Sequence, residues 1–130
     1  MDSALFNKTV KAGQWFGSNY KKIKAMIARI WHGYTRPEHS TVYEIMLREE
    51  IFTGIRDRKM NGFIDVQLLR RKLVDEVEFI TVMRFDSIDA VKEFAGNDYE
   101  KAVIYEDAKP LLVRYDERSQ HYEIKQSISA

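Results

Sequence analysis

EVEFITVMRFDSIDAVKEFAG, Glu76–Gly96, is the stretch on which the fold of this chain turns. Val77, Phe79, Thr81, Met83 and Phe85 alternate with Glu78, Ile80, Val82 and Arg84, which is the period of a β-strand. Large apolar groups stand in the middle of both rows, so neither face of the strand is expected to be wholly wet. Asp86 and Ser87 then offer side-chain oxygens to the free N–H groups of a helix start. Ile88, Val91, Phe94 and Ala95 recur at helical spacing, with Phe94 expected as a core anchor and not a ligand contact. Gly96 is the natural residue just past the helix end. A strand with two apolar faces and a helix on one of them needs a cover for the other.

Outward from that unit, the 130 residues suffice for one domain with a sizeable core. Apolar residues make up 45% and charged ones 32%, the balance of a folded globular chain and not of a disordered one. A net charge of +1 argues against a general attraction to nucleic acid. With no cysteine, disulfides, thiol nucleophiles and thiolate metal sites are excluded, and a cytoplasmic setting is expected. No apolar run approaches the roughly 18 residues that span a bilayer, and no signal-peptide core is read at the start, so no membrane partner is expected.

Residues 1–24 carry two glycines, scattered aromatics and the cluster Lys21, Lys22 and Lys24, and read as an N-terminal extension. Ala25 to Trp31 reads as the first strand, grouping Ile27, Arg29 and Trp31 against Ala28, Ile30 and His32, with Gly33 ending it. Thr35-Arg36-Pro37-Glu38 fits a capping box, Thr35 as N-cap and Glu38 reaching back. The helix after it aligns His39, Val42, Tyr43, Met46 and Glu50/Ile51 and is expected to end near Gly54. Lys59–Gly62 is a turn, Phe63–Leu73 a long strand, and Val74–Glu76 a hairpin connection into the central strand. Asn97–Tyr105 suits a short helix or an irregular turn, Leu111–Val113 an apolar plug, Tyr115–Gln120 a loop, and His121–Lys125 a last strand.

The order strand–helix–strand–strand–helix–strand is the ferredoxin-like α+β pattern, a βαββαβ chain with an antiparallel sheet. Its usual spatial order is 4-1-3-2, with both helices on one face. The other face would be a bare apolar patch, and stacking two sheets into a homodimer covers it.

Motifs for chemistry are sparse. No metal-ligating or nucleophile motif, Walker loop or dinucleotide fingerprint occurs. Glu49-Glu50 and Asp86/Asp89 read as a solvated helix face and N-terminal caps, and Arg70-Arg71-Lys72 as a strand end. His32 closes the first strand and His121 opens the last, which the topology makes antiparallel neighbours. They are either a proton acceptor near neutral pH or two half-exposed histidines at strand ends. Trp31, Tyr43 and Tyr105, with Tyr122, serve either as walls for a flat ligand or as core packing.

MIARIWHGYT at Met26–Thr35, EFITVMRFDSIDAVKEFAG at Glu78–Gly96, AVIYEDAKPLL at Ala102–Leu112 and HYEI at His121–Ile124 together resemble the antibiotic biosynthesis monooxygenase family of dimeric α+β barrels. Their order and spacing carry the likeness, which covers about residues 25–126 and leaves 127–130 as a tail. The resemblance implies a homodimer with sheets face to face and a ligand cavity in each protomer between helices and sheet. Relatives oxidise polycyclic phenols or quinols with dioxygen and no metal or flavin, and others degrade haem. The haem-degrading branch uses an Asn in the first strand, a Trp at the end of the third and a His in the next helix. Here that strand has no Asn, Phe85 stands at the Trp position and Ile88–Ala95 has no His, so haem degradation is not expected.

The resulting expectation is a cofactor-independent monooxygenase of a small aromatic metabolite. His32 or His121 would be its base, and Trp31, Tyr43 and Tyr105 would line its substrate site. The alternative is a non-catalytic dimeric module that binds a small molecule or stabilises a partner.

Overall fold

A computed structural model describes residues 26–130, and the extension expected over 1–24 lies outside them. The first strand, β1 (Met26–Thr35), alternates buried and half-buried residues along its whole length, with Ile27, Arg29, Trp31 and Thr35 on the buried side. It does not stop at Gly33, as its glycine suggests. There the absent side chain makes room for the Trp31 indole, which would lie 2.7 Å from a Cβ at its Cζ3, and for Leu112, whose Cδ2 would lie at 3.0 Å.

The capping box does not form. Pro37 holds Arg36 extended, with φ −68° and ψ 153°, so Arg36 and not Thr35 is the N-cap residue and its side chain makes no cap bond. Thr35 stays in the sheet, opposite Val77 on one side and Leu112 on the other. The first helix runs as α1 (Pro37–Met46), one π-helical stretch (Leu47–Ile51) and α2 (Phe52–Asp57), passing through Gly54. Its buried row is Ser40, Tyr43, Leu47, Ile51 and Ile55, whereas His39 and Val42 of the expected stripe are exposed. Steps of four advance a pure α-helix about 40° past a full turn each time. The wider π turn takes back part of that drift and holds Leu47, Ile51 and Ile55 against the sheet.

Lys59 and Gly62, both at positive φ, turn the chain into β2 (Phe63–Lys72). A hairpin closed by Leu73 N–H donating to Glu76 O leads into β3 (Val77–Phe85). The second helix, α3 (Ile88–Ala95), starts as its sequence indicates, with Ser87 Oγ accepting from Ala90 N–H at 3.1 Å, and ends at Gly96 with φ +91°. Asn97–Tyr105 is irregular. The apolar plug after Pro110 is a strand, β4 (Leu112–Tyr115), and the last strand is β5 (Gln120–Ile124).

All pairings are antiparallel in the order β2-β3-β1-β4, with β5 also on β1. β4 pairs with Gly33–Thr35 and β5 with Met26–Ile30, so the fourth strand of a ferredoxin-like sheet is here cut in two by the loop at Asp116–Ser119. Tyr43 meets Phe79 edge to face at 4.9 Å between ring centroids, and Phe94 meets Phe85 at 6.0 Å. Phe79 and Phe85 share one face of β3, so both helices cover that face, and these contacts with Val77, Met83 and Val91 form the core.

Candidate functional site

Between that sheet face and the bent first helix lies a cavity of about 60 Å³. Trp31 of β1, Tyr43 of α1 and Tyr105 of the irregular segment are among its walls, so the three aromatics singled out in the sequence converge on one space. Leu47, Ile51 and Ile55 enter from the π turn and the helix beyond it. Phe94 does more than anchor α3, because its ring also lines this cavity. A wider surface depression of about 490 Å³ adjoins it, and Ile51, Ile55 and Tyr105 border both.

Trp31 is held by its indole Nε1–H, which donates to Asp116 O at 2.8 Å. Tyr43 is almost wholly buried, and burial raises its phenol pKa well above the ordinary value. Burial also raises Tyr105, against a smaller lowering by the Arg58 charge. Both therefore remain protonated at neutral pH.

The polar residues of this cavity are ones that sequence alternation did not single out: Arg29 and Ser119, with Thr81. Arg29 is 3% exposed. Its Nη1 donates to Tyr99 O and lies 3.0 Å from His121 Nε2, and its Nη2 donates to Lys101 O at 3.1 Å. The guanidinium also stands 5.5 Å from the centroid of Phe94. Burial lowers its pKa to about 10, still charged at neutral pH. The usable signal was a lone charge in the row Ile27, Arg29, Trp31; Ser119, in a loop of no periodicity, gave none.

The two histidines do not converge. His121 faces Arg29 across the β1–β5 ladder and shares the cavity side of the sheet, behind Arg29 and against the ring of Tyr99 at 5.1 Å. Burial first, and then the Arg29 charge, lower its pKa to about 4. His32 projects from the opposite face, as its alternation with Trp31 requires, and its Nδ1 pairs with Asp116 Oδ2 at 2.6 Å. That pair belongs to a polar cluster at one end of the open face, where Gln120 Nε2 donates to Asp116 and Tyr34 and Arg71 donate to Glu78. Ala28, Ile30, Leu69, Ile80, Val82 and Tyr122 occupy the rest of the same face.

Among the described residues no group of three His, Asp or Glu could hold a metal ion, and no helix is long and apolar enough to cross a membrane. No family model and no curated protein matches the chain. Among solved structures, a Bacillus cereus chain provisionally assigned as an antibiotic biosynthesis monooxygenase matches 82% of this chain and 99% of its own, with a TM-score of 0.59 at 21% identity. The chain shares the ferredoxin-like α+β fold of that protein. Within this fold, the aromatic cavity lies between the helices and the covered sheet face, while the opposite face is free of any element of the described chain.

Proposed function

We propose that this protein is a cofactor-independent monooxygenase acting on a small phenol or quinol. The observation that carries the reading is the aromatic cavity bounded by Trp31, Tyr43 and Tyr105 at a π-helical turn, a feature frequent at functional sites. In such a reaction the deprotonated ring gives electrons to dioxygen, one oxygen atom enters the product and the other leaves as water. Hydroquinone would give hydroxybenzoquinone and water. The protein must hold the ring, exclude solvent and accept a proton.

Trp31, Tyr43 and Tyr105 hold the ring in this reading. His121 is the proton acceptor, through one water, once Arg29 Nη1 turns from its Nε2 to the bound ligand, because its imidazole is on the cavity side and unprotonated above about pH 4. His32, on the far face, takes no part in the chemistry. The second copy of the chain packs on that far face, with Ile30, Ile80 and Val82 at the centre and the His32–Asp116 cluster at the rim, as a soluble homodimer in the cytoplasm. No cofactor, metal, membrane or nucleic acid enters this account.

A second reading has its own support. The cavity is small beside the several hundred Å³ of most ligand sites, and Leu47, Met83 and Phe94 fill much of the space around it. A dimeric module that binds a small molecule without turnover fits that economy of space. Oxygen uptake screened against substituted hydroquinones separates the two. Turnover should fall by about 10²–10³-fold in His121→Ala, and its rate should stay flat from about pH 5 to 8. Absence of uptake with every quinol leaves the binding module.

A further inference from the structure

Among the described residues, Arg29 is a cation buried without an anion. Its partners are two backbone carbonyls and a neutral imidazole, and no carboxylate among the described residues lies within ion-pairing distance of it. A buried charge is expensive unless an opposite charge offsets it. Two of its five N–H groups, that on Nε and one on Nη2, have no acceptor among the described residues. A second unmet group borders the same cavity. Ser119 is 5% exposed, and its buried Oγ has no hydrogen-bond partner among the described residues. Nearly all other walls are apolar or aromatic, so the cavity combines one unpaired positive charge, one idle hydroxyl and a flat greasy surround.

We propose that the cavity takes its ligand by an anionic oxygen, with Arg29 as the cationic anchor and Ser119 as a hydrogen-bond donor, and that the ligand is a single-ring aromatic carboxylate. The carboxylate fits the arginine because two oxygens can take two N–H groups of one planar fork. Depth supports the orientation: the acid group occupies the closed part of the cavity, and the ring extends past Ile51, Ile55 and Tyr105 toward the adjoining depression. A cavity of about 60 Å³ admits the acid group and part of one ring, and excludes a fused polycycle. The proposal names the charge of the substrate in the monooxygenase reading, but it concerns binding and does not require turnover.

The test compares two probes that differ by one carboxylate, 2,5-dihydroxybenzoate and hydroquinone, by isothermal titration near neutral pH. The acid is expected to bind at least about tenfold more tightly to the full chain, and Arg29→Met to bring that ratio close to one. Ser119→Ala should weaken the acid by about 3–10-fold and leave hydroquinone unchanged. If Arg29→Met fails to fold, the probe ratio in the unmodified protein and in Ser119→Ala still decides. Equal affinity for both probes, or no binding of the acid at about 10 mM, overturns the proposal. Oxygen uptake with hydroquinone but no preference for the acid removes this inference and keeps the oxygenase. Tight binding of the acid without any uptake does the reverse.

Discussion

Arg29 Nη1 stands 3.0 Å from Nε2 of His121, the residue directly opposite it in the β1–β5 ladder. An arginine can only donate, so Nε2 is the unprotonated acceptor and the ring proton sits on Nδ1. That Nδ1 is buried with no partner among the described residues. A second proton would therefore put two cations side by side, one of them in a dry pocket.

Acid should destabilise the protein through this pair. Burial and Arg29 lower the folded pKa of His121 to about 4, whereas an unfolded histidine titrates near 6.5. Between those values the unfolded chain binds the extra proton, so stability is full above about pH 6.5 and falls as pH drops toward 4. The loss should be about 1–2 kcal/mol, reduced from the full shift because the ring is partly exposed. His121→Gln should flatten that part of the curve of urea midpoint against pH. An unchanged slope between about pH 6.5 and 4 would show that the imidazole is protonated in the native state.

The open sheet face should hold a second copy of the chain. Ile30, Ile80 and Val82 form an apolar centre there, with Leu69 and Tyr122 beside them at 45% and 56% exposure. An interface between two such faces should bury about 2,000 Å² or more in total. Sedimentation should give twice the 15.4 kDa chain mass at micromolar concentration. Ile80→Glu should halve that mass while leaving the far-ultraviolet dichroism intact, since the core lies on the other side of the sheet. A monomeric wild-type chain removes the idea.

Much of this architecture is written locally. Alternation in Val77–Phe85, the Ser87 cap and the Gly96 terminus each act within a few residues, so each could be read from the chain. What escaped depends on phase or on distant partners. Alternation puts His32 opposite to Trp31, but only the pairing of His121 with Arg29 decides which face His121 shares. The π turn shifts a helical stripe without leaving any compositional mark. Thr35 looked like a cap because the motif has the right spacing, yet Pro37 and the β1 ladder keep it in the sheet. The cut in the last strand is set by tertiary pairing with two ends of β1, which LVRY alone does not announce.

Phe94 ties α3 to the sheet and closes one side of the cavity. Its ring is 8% exposed, packs on Phe85 and lies beneath Arg29 and Arg58, each 5.5 Å from its centroid. Truncation removes this burial and leaves a hole continuous with the cavity. Phe94→Ala should cost about 3–5 kcal/mol in urea denaturation. A loss below about 1 kcal/mol would mean that the helix repacks or does not face β3 as described.

Gly33 should act on the cavity at second hand, through Trp31. The two residues are on the same side of β1, and the indole lies where the first carbon of any side chain at 33 would project. Leu112 blocks the other direction, with its Cδ2 at 3.0 Å from that position. An added methyl group therefore cannot be absorbed by a backbone shift within the paired strand, and the indole must move. Moving it breaks the Nε1–H bond to Asp116 O and disturbs the wall shared with Tyr43 and Tyr105. Gly33→Ala should lower stability by about 1–3 kcal/mol, the usual cost of overpacking. It should also shift Trp31 emission to the red, measured in a Trp15→Phe background so that a single indole reports. Unchanged emission together with full stability would mean that the indole does not rest over Gly33 in solution.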